Sequence, residues 1–507
     1  MLDKTVGGLD QSYVRLRTPG QVQSFGTFLA LHPATLRILN ASDNVKAELG
    51  ISHADILGQS LIELIENAEV REEIIDCLRS DEPVFNNPLL ATVCGQRFDI
   101  ILHGNDGLLL AELERLAPGA PTRDDMDRLS EDAIMGMMVP GTVEELLAQA
   151  PQAIRAATGF DRVLLYKFDD AFRGQVVGEA RRPGVESFMG LFFPESDIGP
   201  SARELYTQNF SRYIPNIGSA PSLVLPAENP LTNRPLDMSR SVLRAVAPCH
   251  IAYLGNMGVT ASMSFSIVSE GRLWGLFACH HYSPSQLSHT QRLICEQIAM
   301  MFVAKLTEIV DPSAHEAEME RRRDRLIASS PLFSKSPLRE TWSPEQETEL
   351  LSVVNAEGVV IYVDGEIGEI GTCPNLNKLH SFIEQKASEF DRLLKMYDPK
   401  GLFYTNCVAS SLPFGTEMRE QGSGMMVVPL SQERRSFLLW FRPELVVKAT
   451  WAGNPAETKI KDLNATFSPR RSFAAWKEDI RDRAEPWTPL DIANAAAVRD
   501  QAMSRAS

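Results

Sequence analysis

Cysteine is scarce in this chain: seven among 507 residues, at positions 77, 94, 249, 279, 295, 373 and 407. An odd, scattered set makes no disulfide framework. No two stand at CxxC spacing, so a structural zinc site is not expected. Both absences fit a reducing, cytoplasmic location. Positive charge is also short. Fifty Lys and Arg against 66 Asp and Glu leave a net charge of −16. That surface repels phosphates and anionic lipid, which excludes a generic nucleic-acid or membrane binder. No apolar run approaches the roughly 20 residues that span a bilayer. No apolar core follows the opening Met1–Thr5, so no secretory signal is expected. A P-loop, a nucleotide-binding GxGxxG, a protein-kinase catalytic loop and an esterase nucleophile elbow are all missing. The chain is accordingly read as no enzyme.

What is present is an ordinary globular composition, 44% apolar and 23% charged, which excludes global disorder. The length predicts about three domains. Two stretches rich in Pro, Gly and Ser, Ala117–Thr122 and Ser329–Pro337, mark the boundaries. The expected division is 1–120, 121–312 and 313–489, with 490–507 beginning a further helix. In the first segment, Asn105-Asp106-Gly107 is a tight-turn signal between strand-like Phe98–His103 and Leu108–Leu113. In the second, Ala261–Val268 alternates with period two, Met263, Phe265 and Ile267 on one face and Ser262, Ser264 and Ser266 on the other. A turn at Glu270-Gly271 returns the chain as Leu273–His281. Alternation puts His280 with Trp274, Leu276 and Ala278, and Cys279 with His281. The serine face either meets solvent or lines a ligand site.

From Ser285 the pattern turns helical, with Leu293, Ile294, Ile298, Met301, Phe302, Leu306 and Ile309 on one stripe. Pro312 kinks or stops it, and a charged helical segment, Glu316–Arg325, resumes. A helix of about 40 residues over 287–330 predicts a partner, as in a parallel homodimer; two ordinary helices divided at Pro312 are the alternative. In the third segment Phe437–Phe441 is a short apolar strand. The long connection after it, holding Trp451–Pro455 and Ser468–Phe473, is of a kind more often functional than filler. Pro489–Ser507 is an Ala-rich helix with no core of its own, read as the start of an element continuing beyond it.

Few constellations suggest chemistry by residue type. Cys249-His250 pairs a thiol with an imidazole, but neighbouring residues diverge, so adjacency alone is no catalytic dyad. A buried thiol beside a satisfied histidine is the plainer reading. His280-His281 suggests a metal only weakly, since no carboxylate or thiol cluster lies nearby. Arg212 and Arg244, with Arg240 on charge alone, suit carboxylates or phosphates.

Several spaced motifs, in order, carry a resemblance. Phe193–Ile198 with Ala202–Tyr206 resembles the signature loop of the phytochromes. Ser241–Arg244, then Cys249-His250 and Tyr253–Val259, is similar to the next family block, and Leu273–His281 to a third. Trp451-Ala452-Gly453 and Pro469–Phe473 resemble the two motifs of the phytochrome tongue. The resemblance spans essentially the whole chain. It implies an α+β fold of three domains, PAS, GAF and PHY, each an antiparallel sheet flanked by helices. They are joined by a long helix, and a tongue at about 437–482 extends from PHY.

It also implies a linear tetrapyrrole (bilin) and two light-absorbing states. Asp197 would offer its main-chain carbonyl to the pyrrole nitrogens and its carboxylate to Arg470, with Trp451 and Ser472 in the same signalling contact. Arg212 and Arg244 would hold the propionates, helped by Ser262 and Ser264. His250 would stack near the central rings and His280 would bond the D-ring carbonyl. Tyr166, Tyr206, Tyr253 and Phe193 would wall the D-ring.

Bacterial members usually attach biliverdin through a cysteine shortly before an N-terminal Pro-Gly. Here Pro19-Gly20 is present, Gln11 occupies the expected position, and no cysteine precedes Cys77. Cys249 stands instead where plant and cyanobacterial members attach their bilins. The resemblance therefore implies covalent attachment at Cys249, with phycocyanobilin expected and biliverdin as the alternative. D-ring isomerisation would signal through the tongue and helices to an output module absent from this chain. The rival reading is a bilin-free redox or scaffold sensor. Glu195, Gly199, Phe192 and Ser24-Phe25 depart from common family residues.

Overall fold

The structure is a computed structural model. It describes residues 5–6, 9–10, 16–80, 83–116, 123–169, 171–269, 271–310, 312–333, 338, 340–363, 365–375, 401–411, 415–431, 436–454 and 473–506. The chain forms two compact units, 1–310 with 450–476, and 311–449 with 477–507.

The first unit begins with a sheet of β1 (Gln21–Val22), β2 (Gly26–Leu31), β3 (Ile38–Ser42), β4 (Leu89–Val93), β5 (Gln96–Asn105) and β6 (Leu108–Arg115). The turn between β5 and β6 uses Asp106 at φ 48° and Gly107 at φ 75°. Two successive positive φ values make the type I′ geometry that the Asp-Gly pair announces. Along β6, Leu109, Ala111 and Leu113 face a core shared with Phe98, Ile100 and Leu102. Leu108 and Leu110 point the other way, to Val224, Met238 and Leu243. Glu112 and Glu114 share that second face by parity.

A second sheet follows in the same unit. Its strands are β7 (Arg162–Phe168), β8 (Gly174–Arg181), β9 (Phe192–Phe193), β10 (Ser211–Ile214), β12 (Ala261–Ser269) and β13 (Arg272–His281). Strand β11 (Ser222–Leu225) leaves this sheet and inserts in the first between β1 and β3. The first sheet then runs β1-β11-β3-β2-β6-β5-β4. The 16–23 segment is held on its other flank too. Gln23 N–H donates to the Leu243 carbonyl at 2.7 Å, Ala245 N–H to that of Gln21 at 3.0 Å, and Met238 N–H to that of Arg17 at 2.8 Å.

The second sheet runs β10-β12-β13-β7-β8-β9 and is extended by β19 (Val447–Ala452) and β20 (Ala475–Ile480). Helices α1 (Arg123–Met138), α2 (Val143–Thr158) and α5 (His289–Val310) cover one face. They enclose Leu146, Ile154, Met263, Phe265, Phe277, Cys279 and Phe302. The opposite face carries Ser262, Ser264 and His280, with α3 (Pro200–Gln208) and α4 (Pro248–Asn256) beside it.

One expectation fails here. Trp274 does not share the face of His280; it packs on Phe302 of α5 at 5.6 Å. The ladder pairs Ile267 with Gly275 but Val268 with Leu273, so Trp274 is an extra residue. A β-bulge inverts the parity of everything beyond it, and alternation counted through it goes wrong.

In the second unit, α6 (Pro312–Ser329) and α7 (Pro344–Ser352) precede β14 (Gly358–Val363), β15 (Glu366–Gly371), β16 (Phe403–Thr405), β17 (Gly424–Pro429) and β18 (Ser436–Arg442). The sheet order is β15-β14-β18-β17-β16. Pro312 opens α6, a position where its missing N–H costs nothing. The last helix, α8 (Pro489–Ala506), has the buried face that its sequence hid. Ala495, Val498 and Ala502 join the core of Leu350 and Trp440. Arg442 anchors its start, bonding Asp491 at 2.9 Å and the Pro486 carbonyl at 2.7 Å. No helix among the described residues is long and apolar enough to cross a membrane.

Candidate functional site

The ladders of the second sheet align two rows across its open face. Arg212 pairs with Ser264, Ser264 with Ala278, and Ala278 with Leu164. Ile214 pairs with Ser262, Ser262 with His280, and His280 with Arg162. Directly paired residues share a face, so Arg212, Ser262, Ser264 and His280 are brought together.

The electrostatics of that face are one-sided. Arg212 donates to the Val242 carbonyl at 3.2 Å and to the Arg244 carbonyl. Burial, then the Arg244 charge, pulls its pKa down to about 9. The Arg244 side chain is buried and reaches the Leu16 carbonyl at 3.2 Å. His250 is pushed down to about 4 by burial and then by Arg212. His280 falls to about 3 through burial, then Arg162 and His250. Both imidazoles are therefore neutral at pH 7, each with one donor and one acceptor nitrogen. His280 is 5% exposed, and its Nδ1 has no hydrogen-bond partner. A buried polar atom of that kind is costly unless something else satisfies it.

Helix α4 begins with Pro248 at its first position, a preorganised start. Cys249 follows, exposed, and His250 comes next on a different side of the helix. The His250 ring lies nearly parallel to Tyr253, 6.1 Å away at 13°. The Tyr253 hydroxyl donates to Asp197 Oδ2 at 3.0 Å. Its ring meets Phe473 edge-on at 5.2 Å. Glu195, two residues before Asp197, is held instead by Arg203 at 3.0 Å.

Around the other end, Tyr166 and Phe193 pack edge to face at 5.1 Å, with Phe188, Leu276 and Ala452 in the same apolar group. Tyr206 borders it and accepts a long bond from the Ser264 hydroxyl at 3.4 Å. Tyr253 sits in an adjoining group with Ile214 and Leu254, linked through Met257. Trp451 pairs its backbone with Phe192 in parallel, and the two rings lie 5.8 Å apart. Arg470 and Ser472 lie outside the described residues. A desolvated arginine pair, two neutral imidazoles and an unsatisfied buried nitrogen suit a planar ligand. Such a ligand would carry carboxylates at one end and a hydrogen-bonding carbonyl at the other.

Comparison with known proteins follows the same lines. Family models match a PAS fold at 12–116, a GAF domain at 142–306 and a phytochrome region at 335–506. A cyanobacterial phytochrome B of Nostoc sp. is 33% identical over 96% of this chain, which spans 64% of that relative. A bacteriophytochrome of Xanthomonas campestris is 31% identical over 96% of this chain and 76% of its own. Among solved structures, the Stigmatella aurantiaca phytochrome photosensory core module superposes with a TM-score of 0.81 at 32% identity, covering 99% of this chain and 98% of that one. A bacteriophytochrome of the photosynthetic bacterium R. palustris gives 0.79 at 30%, covering 96% of each.

The chain belongs to the phytochrome family. It is a PAS, GAF and PHY photosensory core. In this phytochrome the GAF domain carries the two cross-strand rows and the PHY domain sends the Trp451 strand to their sheet. Sequence reasoning passed over Arg162, which is 3% exposed, lies directly across from His280 and stacks on Phe188 at 3.8 Å. Its only signal was a charge opening a strand whose next four residues are Val, Leu, Leu and Tyr. Glu112 was passed over as well, a buried carboxylate amid the apolar run Leu108–Leu113.

Proposed function

We propose that this phytochrome core binds a linear tetrapyrrole through a thioether at Cys249, with phycocyanobilin the bilin rather than biliverdin, and serves as a red-light sensor. The Arg212–Arg244 charge pair, with neutral His250 beside it and the unsatisfied His280 nitrogen, carries this reading. The exposed Cys249 thiol, with no cysteine before Cys77, supports the attachment point. Attachment adds S–H across an ethylidene double bond, the proton passing to the neighbouring carbon, so no oxidant is needed.

When bound, the bilin supplies visible absorption and a double bond, C15=C16, that light isomerises. The chain's residues supply the rest. Arg212 and Arg244 receive the propionates by charge-assisted bonds, and Ser262 and Ser264 add hydroxyl donors. Neutral His280 would give the D-ring carbonyl a single donor, and His250 would hold a water near the central rings. Tyr166, Tyr206, Tyr253 and Phe193 border the D-ring and exclude bulk water. Asp197 would offer its main-chain carbonyl to the pyrrole nitrogens. Through Asp197–Tyr253–Phe473 and Phe192–Trp451 the pocket is tied to the tongue. A change in the tongue's secondary structure is the proposed bistable element. The helices at 289–310 and 312–329 would form a parallel homodimer and, with the terminal helix, pass the change to an output module in the cytoplasm.

The test is assembly with phycocyanobilin, and separately with biliverdin, followed by a denaturing gel stained for zinc-induced fluorescence and by spectra before and after red light. The expected result is a fluorescent band with phycocyanobilin only, lost in Cys249→Ala, and a reversible spectral change. A chain that stays colourless with both bilins overturns the proposal.

A further inference from the structure

We propose that Glu112, a residue of the PAS sheet, is the positioning residue for the carboxylate-binding arginines of the GAF domain. The inference rests on the bilin reading above. Glu112 lies on β6, fully buried, facing away from its own domain's core. One oxygen accepts from His103 Nε2 at 2.9 Å and from the Val242 N–H at 3.1 Å. The other accepts from the Ser241 hydroxyl at 2.7 Å and the Leu243 N–H at 2.6 Å. Both oxygens are thus spent on three consecutive residues of one short loop, plus one imidazole.

That loop is the one Arg212 reads. Its guanidinium donates to the carbonyls of Val242 and Arg244. Gln23 Nε2 adds a second bond to the Val242 carbonyl at 3.3 Å. The peptide units that receive Arg212 and carry Arg244 are therefore fixed on one side by Glu112 and on the other by Arg212. Two guanidinium groups forced together repel, and a loop free to relax would let them part. Holding them at one spacing before the ligand arrives lowers the ordering cost of binding two carboxylates.

The carboxylate is ionised. Burial alone would raise its pKa, but the bonds from His103, Ser241 and Leu243 outweigh burial and hold it below the ordinary range. Its charge also stabilises the nearby Arg212 cation. Glu114, two residues on, serves a different end. It meets the buried Arg292 of α5 at 2.5 Å and so joins the domains without touching the arginine pair.

A purely structural carboxylate and a positioning one predict different ligand selectivity. The full chain carrying Cys249→Ala, which keeps binding reversible, is titrated with phycocyanobilin free acid and with its propionate dimethyl ester, which offers the arginines no carboxylate. Glu112→Gln is expected to raise the half-saturating free-acid concentration about tenfold, the scale of a lost charged hydrogen bond. Binding of the ester should change little. Ser241→Ala, which keeps the charge and removes one bond, should show the same selectivity at roughly threefold, and it keeps the test open if the first variant folds poorly. Equal losses for acid and ester, or no loss in either variant, overturn the inference. Wild-type chain that binds neither form overturns the bilin reading itself.

Discussion

His280 shows how one side chain's state is set by its neighbours. It is buried, faces Arg162 across the ladder and is pushed far below the usual imidazole range. His250 and His289 are depressed too, to about 4 and about 3, by burial first and then by Arg212 and Arg292. The sign of the linkage follows. These histidines stay neutral when folded but take up protons near pH 6.5 once unfolded. Stability is therefore full above pH 6.5 and declines as pH falls towards 4. Asp99 and Glu114, raised chiefly by burial, oppose this only near the carboxylate range. The thermal midpoint of the bilin-free chain should fall steadily from pH 7 to pH 5, and His280→Gln should flatten that slope.

The β12–β13 hairpin was legible in the sequence because its apolar and hydroxyl residues alternate without interruption from 261 to 267. The ladder places Ser262 opposite His280, a pairing that alternation within each strand does not give. The error at Trp274 marks the limit, since nothing in residue type announces a single extra residue in one strand. Gly275, the next residue, is the more informative sign. A Cβ there would lie 2.0 Å from the Tyr166 carbonyl. Gly275→Ala should therefore separate β13 from β7 and cost at least about 3 kcal/mol in urea unfolding, the upper end for single substitutions. Helix α8 escaped for another reason. Alanine buries little area and gives a weak periodic signal, so its contact with Trp440 is visible only in the fold. The clamp at its start is equally long-range. Arg442→Met should cost about 3–5 kcal/mol, because it strands the buried Asp491 charge; the melt of the PHY core would report it.

At the scale of the molecule, the site draws on segments far apart in the chain. The Val447–Ala452 strand meets the GAF sheet through Phe192–Trp451, and the PAS segment 16–23 meets the 238–245 loop; such pairings leave no local trace in sequence. Only the family motifs pointed to them. Trp451→Ala should loosen this edge without unfolding the GAF sheet. Amide exchange at Phe193 and Ala452 should rise by up to about tenfold, the worth of one aromatic pair. Unchanged exchange would mean that the ring contact contributes nothing to holding the tongue strand.

The insertion of β11 between β1 and β3 sets a timetable for synthesis. Val22 cannot meet Ser222 until the ribosome has made the intervening chain. At 5–20 residues per second that is a wait of roughly 10–40 s. During it, the nascent PAS sheet exposes two unpaired strand edges, the kind that capture other chains. A ribosome stalled before residue 222 would therefore release a fragment whose first domain is complete in sequence and unfinished in structure.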